Sequence, residues 1–426
     1  MVGGLKTPNP SSSRCGIFHI QRATFRSRSD SLAPIGHGLW RRTFLARMAR
    51  PSMSSNVSRR RLTLGSNGCT SPLATNTASV RARQSAPHPA VAARRAGARR
   101  APTLRLLDPL LMELYKNVYQ IQSLYGGRNL FQYLFVGDNN LLVDTGIAET
   151  PVKVIFPYLD RLKLKPDRLT LAVTTHADLD HQGGNDAIKR ASPGAFLACG
   201  ESDRALVEDP RALFDRRYNF LRAEHDVGFD SDPSPDAGRK RAMDFTFLGG
   251  ERIRLRDDWS LEVLHVPGHS HGHLALYDQR NRAAFVGDAI HGRGCPKAAG
   301  GMAIPVTYYY VDIYLSTLRY FESLAIDVLY SGHWPIMRGE EIRDFIAESR
   351  QTVELLDRVI TENLGNTPGG LTLRELMDAA AMGVGDWPKE SWNIAMFAVW
   401  GHMKRLEERG KARALRGTKP VKYQLA

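Results

Sequence analysis

A short apolar run, Leu169-Thr170-Leu171-Ala172-Val173-Thr174-Thr175, leads directly into His176-Ala177-Asp178-Leu179-Asp180-His181 and then into Gln182-Gly183-Gly184-Asn185. Leu169 to Val173 reads as a buried strand, and the two glycines allow a tight turn before a helical pattern that starts near Asn185. Four potential ligands therefore crowd one loop at the end of a strand. Imidazole nitrogens and carboxylate oxygens are the donors that zinc, iron and manganese accept, and their alternation lets one loop feed two adjacent metals. A solvated polar loop is also rich in His and Asp, so the hexad by itself leaves that reading open.

Further ligand-like residues recur in the same context. Leu142-Val143-Asp144-Thr145-Gly146 is an apolar strand that ends in a carboxylate. Val263-Leu264-His265-Val266-Pro267-Gly268-His269 alternates like a strand and sets a His after a Pro-Gly turn. Ala284-Phe285-Val286-Gly287-Asp288 and Val328-Leu329-Tyr330-Ser331-Gly332-His333 are two more apolar strands with a ligand at the end. In order and context these motifs resemble those of the metallo-β-lactamase superfamily, from about Tyr115 to Met337. The resemblance implies an α/β fold, a four-layer αββα sandwich over residues 112–340. It also implies two divalent metal ions: His176, Asp178 and His269 on one, Asp180, His181 and His333 on the other, Asp288 bridging, and Asp144 ordering the site from behind.

Asp178 departs from the family pattern, which most often has His there. Two divalent ions carry four positive charges, and three aspartates with a bridging hydroxide carry four negative ones, so the formal sum is zero where a neutral His would leave one positive charge. A less positive core is expected to leave bound water less acidic. An added hard oxygen donor moves preference from zinc towards iron or manganese, with zinc still the first expectation.

His271 and His273 lie close to His269 in sequence and read either as ligands or as partners of ligands. His265 and His291 read as structural or pocket-wall residues, and His225 as a loop residue without a supporting motif. Cys15, Cys69, Cys199 and Cys295 show no CxxC spacing, which supports neither a zinc ribbon nor a disulfide framework.

Charge divides the chain. Residues 1–100 hold 18 Lys and Arg against the single acid Asp30, so the whole-chain charge of +14 belongs to that segment and the remainder is mildly acidic. The tail, 1–105, is rich in Ser, Arg, Ala and Pro and is expected to be disordered. It reads as a transit peptide or as an over-extended start, with Met112 as the internal alternative. No stretch reaches the roughly 18 apolar residues that a membrane span needs. A cytoplasmic location is expected, or a mitochondrial or plastid one if the tail is a transit peptide.

Val118–Gln122, Leu130–Val136 and Leu141–Asp144 read as an opening meander, and Pro151–Leu162 as a helix. Residues 226–241 break the pattern, as a cap on the cleft or as a surface excursion. Tyr308-Tyr309-Tyr310 is expected to open a helix that runs to about Leu324, with Tyr310 as a candidate substrate-binding residue. Residues 341–426 read as a helical linker and a winged-helix-like module: a long helix from Glu340, a Thr372-capped helix, a helix over about Ser391 to Arg409, and a wing over Lys411 to Tyr423. Its basic residues, Lys404, Arg405, Arg409, Lys411, Arg413, Arg416, Lys419 and Lys422, suit nucleic acid, while Trp392, Phe397, Trp400 and Leu406 suit packing or a homodimer.

The resulting expectation is a dinuclear hydrolase in which a metal-bridging hydroxide, oriented by Asp180, cleaves an ester, thioester or lactone of a small acyl substrate. Two alternatives are an endoribonuclease that holds RNA with the C-terminal module and a non-catalytic nucleic-acid-binding regulator.

Overall fold

Alternation of side chains decides the layering. In the computed structural model, which describes residues 111–231, 234–415 and 417–426, seven strands form one sheet in chain order: β1 (Met112–Tyr115), β2 (Val118–Tyr125), β3 (Arg128–Phe135), β4 (Asn140–Val143), β5 (Leu169–Val173), β6 (Phe196–Gly200) and β7 (Phe245–Phe247). The basic tail and Arg416 lie outside the described residues. Six strands form the second sheet: β8 (Arg252–Arg256), β9 (Trp259–His265), β10 (Leu274–Asp278), β11 (Ala283–Phe285), β14 (Val328–Tyr330) and β15 (Met337–Arg338), in the order β15-β14-β11-β10-β9-β8. A small hairpin, β12 (Cys295–Pro296) with β13 (Met302–Ile304), lies between them in sequence.

Phe131, Tyr133 and Phe135 of β3 pack with Leu141, Val143, Leu171 and Val173 against Leu261, Val263, Leu274, Leu276 and Phe285 of the other sheet. Their neighbours Leu134, Leu142 and Ala172, with Leu264, Ala275 and Ala284, turn outward against the helices. Both faces of both sheets are thus apolar, which produces the expected two-sheet sandwich between helical layers. The opening meander and the segment Pro151–Arg161, a π turn followed by an α-helix, lie where the sequence pattern put them.

β4, β5, β6 and β7 run parallel, as do β11 and β14. Parallel strands carry their following loops to one edge, so the segments after β4, β5, β11 and β14 converge there. The β2–β3 hairpin turns at Gly126-Gly127, both left-handed (φ +54° and +75°), and starts β3 at Arg128.

Two expectations change here. The helix after the tyrosines runs from Val311 to Ser323, and Tyr308 to Tyr310 precede it in extended backbone, because the Tyr309 and Tyr310 amides donate to the Gly268 carbonyl (2.7 and 3.0 Å). His225 is buried on a short helix, stacked on Tyr423 and edged by Trp400. In the segment 226–241, Asp236 accepts from the Tyr125 hydroxyl (3.0 Å) and its carbonyl accepts from the Ala148 amide (2.8 Å).

The C-terminal residues form helices Glu340–Gly365, Leu373–Val384 and Met396–Glu408 and a three-stranded sheet, β16 (Leu371–Thr372), β18 (Lys422–Leu425) and β17 (Ala412–Leu415). Thr372 and Glu375 make a reciprocal capping box at the second helix. β17 and β18 pair antiparallel over the residues expected to form a hairpin, and β16 pairs with β18 as a third strand. This piece is fastened to the sandwich by polar contacts. The Trp400 indole donates to the Tyr309 hydroxyl (2.8 Å), and the Tyr308 hydroxyl meets His402 Nε2 (2.8 Å). Arg405 and Arg409 pair with Asp312 of the Val311–Ser323 helix, while within the piece Asp357 lies 2.6 Å from His402 Nδ1 and pairs with Arg405.

Burial alone would raise the Asp357 pKa, yet His402 and Arg405 hold it below the usual carboxylate range. Asp357→Asn should therefore lower unfolding stability by about 1.5 kcal/mol, at the low end for charged hydrogen bonds because the site is partly exposed. In urea titrations the difference should be full at neutral pH. It should shrink as pH falls through the depressed Asp357 pKa, where the wild-type side chain also becomes neutral.

Candidate metal centre

Each predicted ligand sits on a loop that leaves a strand end. His176, Asp178, Asp180 and His181 follow β5, with Asp180 and His181 on the single helical turn Leu179–Gln182. His269 follows β9, Asp288 follows β11 and His333 follows β14. The structure brings the seven together as three overlapping groups whose donor atoms lie within 4.8 Å of one another: His176/Asp178/His269, Asp180/His181/His333, and His176/His181/Asp288.

The rings are aimed by what lies behind them. His269 Nδ1 faces the Thr307 carbonyl at 3.1 Å, and His333 Nδ1 faces the Asn129 carbonyl at 2.6 Å. A carbonyl only accepts, so both rings carry their proton on Nδ1 and present Nε2 forward. His181 Nδ1 is 2.8 Å from Asp144, and His176 Nδ1 is 3.0 Å from the Thr175 hydroxyl, which itself donates to Asp144. Asp144 also accepts from the Thr175 amide at 2.7 Å. Its left-handed backbone (φ +60°), which Asp tolerates, belongs to this clamp. One carboxylate thus orients two imidazoles.

Charge follows from proximity. Burial and the neighbouring His181 and His269 push the His176 pKa down to about 4. Burial opposes protonation of His181 too, but Asp144, Asp288 and Asp180 raise it to about 10. Burial raises the carboxylates, and neighbours that favour the ionised form overcome it: Arg217 for Asp178, His181 and His333 for Asp180, and His333 and His181 for Asp288. All three titrate below the usual range.

The chemistry of this set fits divalent cations. His176 Nε2 and Asp288 Oδ1 are buried without any hydrogen-bond partner, although both point into the cluster. Buried polar atoms are rarely left so. A Cβ on Gly332 would lie 2.4 Å from Asp288 Oδ1 and 2.7 Å from His181 Cε1, so only glycine lets the last ligand strand approach.

Other contacts were not legible in the motifs. Arg217, on the π-helical turn Phe214–Tyr218, is 7 % exposed and grips Asp178 with Nε (2.6 Å) and Nη2 (2.8 Å). Its Nη1 donates to the His269 carbonyl (3.2 Å), and Nη2 lies 3.1 Å from His269 Nε2. The Tyr218 hydroxyl donates to Asp178 Oδ1 (2.9 Å). Arg128 Nη2 pairs with Asp180 Oδ2 (3.1 Å), while its buried Nε has no partner. Asp203 receives the Ala177 and Gly272 amides and the Ser270 hydroxyl, joining the β5 and β9 loops. Arg217, Tyr218 and Asp203 lie in a stretch with no ligand spacing. The π turn, a form frequent at functional sites, is the one local sign, and it is structural.

Of the neighbouring histidines, His273 stacks on His176 (4.6 Å) and accepts from the Asp288 amide (3.1 Å), while His265 Nε2 meets the His271 carbonyl (2.7 Å). His291 Nε2 meets the Thr307 hydroxyl at 3.0 Å. None of the four belongs to a ligand group among the described residues. Tyr310 lies against His271 with ring centroids 4.0 Å apart and the planes tilted by 34°. A polar groove of about 710 Å³, lined by residues such as Arg222, Arg374, Asp378 and Trp392, shares no residue with the ligand set. Divalent zinc, manganese or iron(II) should raise the melting temperature of the chelator-treated chain, by about 2.7 kcal/mol of stability at a hundredfold excess over Kd. In calorimetry the effect should be largely lost in Asp288→Asn.

A family profile described as the metallo-beta-lactamase superfamily matches residues 126–333. Among curated proteins the chain is similar to a hydroxyacylglutathione hydrolase of Aeromonas hydrophila, 29% identical over 161 residues, which is 38% of this chain and 46% of that protein. It is also similar to acyl-coenzyme A thioesterase MBLAC2 of Gallus gallus, 26% identical over 225 residues, covering 48% and 71% of the two chains. An atrochrysone carboxyl ACP thioesterase of Paecilomyces divaricatus is 26% identical over 151 residues, covering 34% and 42%. The chain thus spans less than half of the first and third of these relatives. Among solved structures, a metallo-beta-lactamase family protein from Thermus thermophilus superposes with a TM-score of 0.58 at 20% identity, over 74% of this chain and 100% of that one. At that identity the likeness concerns the fold alone.

Proposed function

Because residues 126–333 carry the metallo-β-lactamase superfamily fold, we propose that this chain is a metal-dependent hydrolase of a thioester, ester or lactone. The observation that carries the proposal is the set of four imidazoles locked through Nδ1, with Asp178 and Asp180 each completing one group and Asp288 joined to both through a third group with His176 and His181. His176, Asp178 and His269 would hold one ion and Asp180, His181 and His333 the other, with Asp288 serving both. When bound, such ions supply a nucleophile from water at neutral pH and an electrophile for the acyl carbonyl. Zinc suits the imidazole-rich set, and the three carboxylates keep iron and manganese as alternatives.

The chain's own residues do the remaining work. Asp180, held by Arg128 Nη2, orients the attacking water and accepts its proton. Arg128 lies over the Tyr125 ring (5.5 Å) and has an unengaged Nε, which suits a carbonyl or carboxylate oxygen of the substrate. Tyr310 is proposed to border the acyl group from the His271 side. Support for a thioester comes from the relatives, whose names place acyl groups on glutathione, coenzyme A and an acyl carrier protein. Their shared element is the acyl–sulfur bond.

We read the C-terminal piece as a winged helix that serves as a wall of the catalytic domain. Lys404, Arg405 and Arg409 are engaged by Glu407, Asp357 and Asp312, so three of the basic residues that suit nucleic acid are neutralised within the fold. Phe397 of the same helix covers the Arg217 guanidinium at 5.2 Å. No helix of the described residues is long and apolar enough to cross a membrane. The cytoplasmic location stays part of the proposal.

Turnover of acyl-coenzyme A, S-acylglutathione, p-nitrophenyl ester and lactone substrates by the full chain should be abolished by chelation and restored by one divalent metal. Asp180→Ala should lower kcat about a thousandfold. Chelator-sensitive cleavage of single-stranded RNA without acyl turnover would instead favour the ribonuclease.

A further inference from the structure

Asp178 stands where a neutral imidazole would leave the first metal position with only the shared Asp288 as a charged side chain, yet the structure does not leave the added charge uncompensated. Arg217 spans both carboxylate oxygens, Nε on Oδ1 at 2.6 Å and Nη2 on Oδ2 at 2.8 Å, and the Tyr218 hydroxyl takes the remaining side of Oδ1. Nη1 is anchored on the His269 carbonyl. Phe397 covers the guanidinium from the C-terminal helix. Oδ2 is left facing forward, 2.8 Å from His269 Nε2 and 3.5 Å from His176 Nε2.

We infer that Asp178 and Arg217 act as one ligand unit, a carboxylate with its charge cancelled by a fixed guanidinium, which replaces a neutral histidine. This rests on the proposed two-metal reading. The guanidinium stays charged at any pH the fold survives, so the unit has a formal charge of zero. The core expected to sum to zero from Asp178 alone returns to one positive charge once Arg217 is counted. Arg217 is a positioning residue: the bidentate fork fixes the carboxylate plane, Nε and the Tyr218 hydroxyl together occupy Oδ1, and Oδ2, with Nη2 as its one donor partner from this pair, is the oxygen that would face a cation. A cation held by Oδ2 and the two Nε2 atoms takes the His269 lone pair from Nη2. The contacts of Arg217 with Asp178 and the His269 carbonyl do not depend on that lone pair.

The unit predicts non-additive behaviour. In Asp178→His the guanidinium loses its partner and faces a divalent ion directly, so the weaker of the two zinc affinities should fall by about 10–100-fold. Arg217→Met leaves an anionic ligand and should retain both ions. Asp178→His with Arg217→Met rebuilds a three-imidazole position and should return to within about tenfold of the wild-type affinity.

Zinc content by elemental analysis and zinc affinity by competition with a chromophoric chelator would be measured for the four full-length proteins, with circular dichroism to verify folding. Two ions in the wild type, a loss in Asp178→His and recovery in the double variant are the expected result. Two ions in the wild type with the double variant no better than Asp178→His would overturn the unit while leaving the two-metal reading intact. One ion in the wild type rising to two in Arg217→Met would make the guanidinium an occupant of the metal position, which also overturns it. Fewer than two ions in every variant would sink the two-metal reading itself.

Discussion

The structure depends on confining ionisable groups where water does not reach. Four imidazoles and three carboxylates from loops of both sheets are gathered in one place, all largely withdrawn from solvent. Isolated charges there would cost far more than the fold can offset, so each must have a partner. The solution is a set of buried acceptors behind the rings: Asp144, the Thr307 carbonyl, the Asn129 carbonyl and the Thr175 hydroxyl. These rear contacts turn the outer nitrogens of four rings, carried on three loops, towards one place. The sheets matter chiefly because parallel strands deliver those loops together.

That rear scaffold explains why the candidate ligands were readable in the sequence and their supporting residues mostly were not. Ligand chemistry is carried by residue type, and a strand that ends in His or Asp announces itself through local alternation. Asp144 was legible for the same reason. Arg217 lies 39 positions from Asp178, on a turn whose basic neighbours look like an ordinary solvated helix. Arg128 is the first residue of an ordinary hairpin strand, and its link to Asp180 spans 52 positions. Pairings of this kind are made by topology, which no local pattern encodes. Tyr308 to Tyr310 show a related limit: helical spacing was present, but backbone hydrogen bonds to Gly268 hold the segment extended.

The C-terminal residues illustrate how charge in a sequence differs from charge on a surface. Lys404, Arg405 and Arg409 read as a basic patch, whereas the fold sets each against a carboxylate. The same helix contributes Trp400, His402 and Phe397 to contacts with Tyr309, Tyr308 and Arg217. A wall built this way joins the C-terminal helix to the ligand shell through one guanidinium.

In the proposed ligand unit, Arg217 would also separate two properties that a change of ligand normally moves together. Replacing an imidazole by a carboxylate hardens the donor, which bears on the choice of metal, and adds negative charge, which lowers the electrophilicity of whatever is bound. With the charge cancelled by the guanidinium, only the hardness of the donor remains altered. A metal preference shifted towards oxygen-seeking ions is then compatible with an undiminished electrophile, because donor softness and net charge are set by different residues, Asp178 and Arg217.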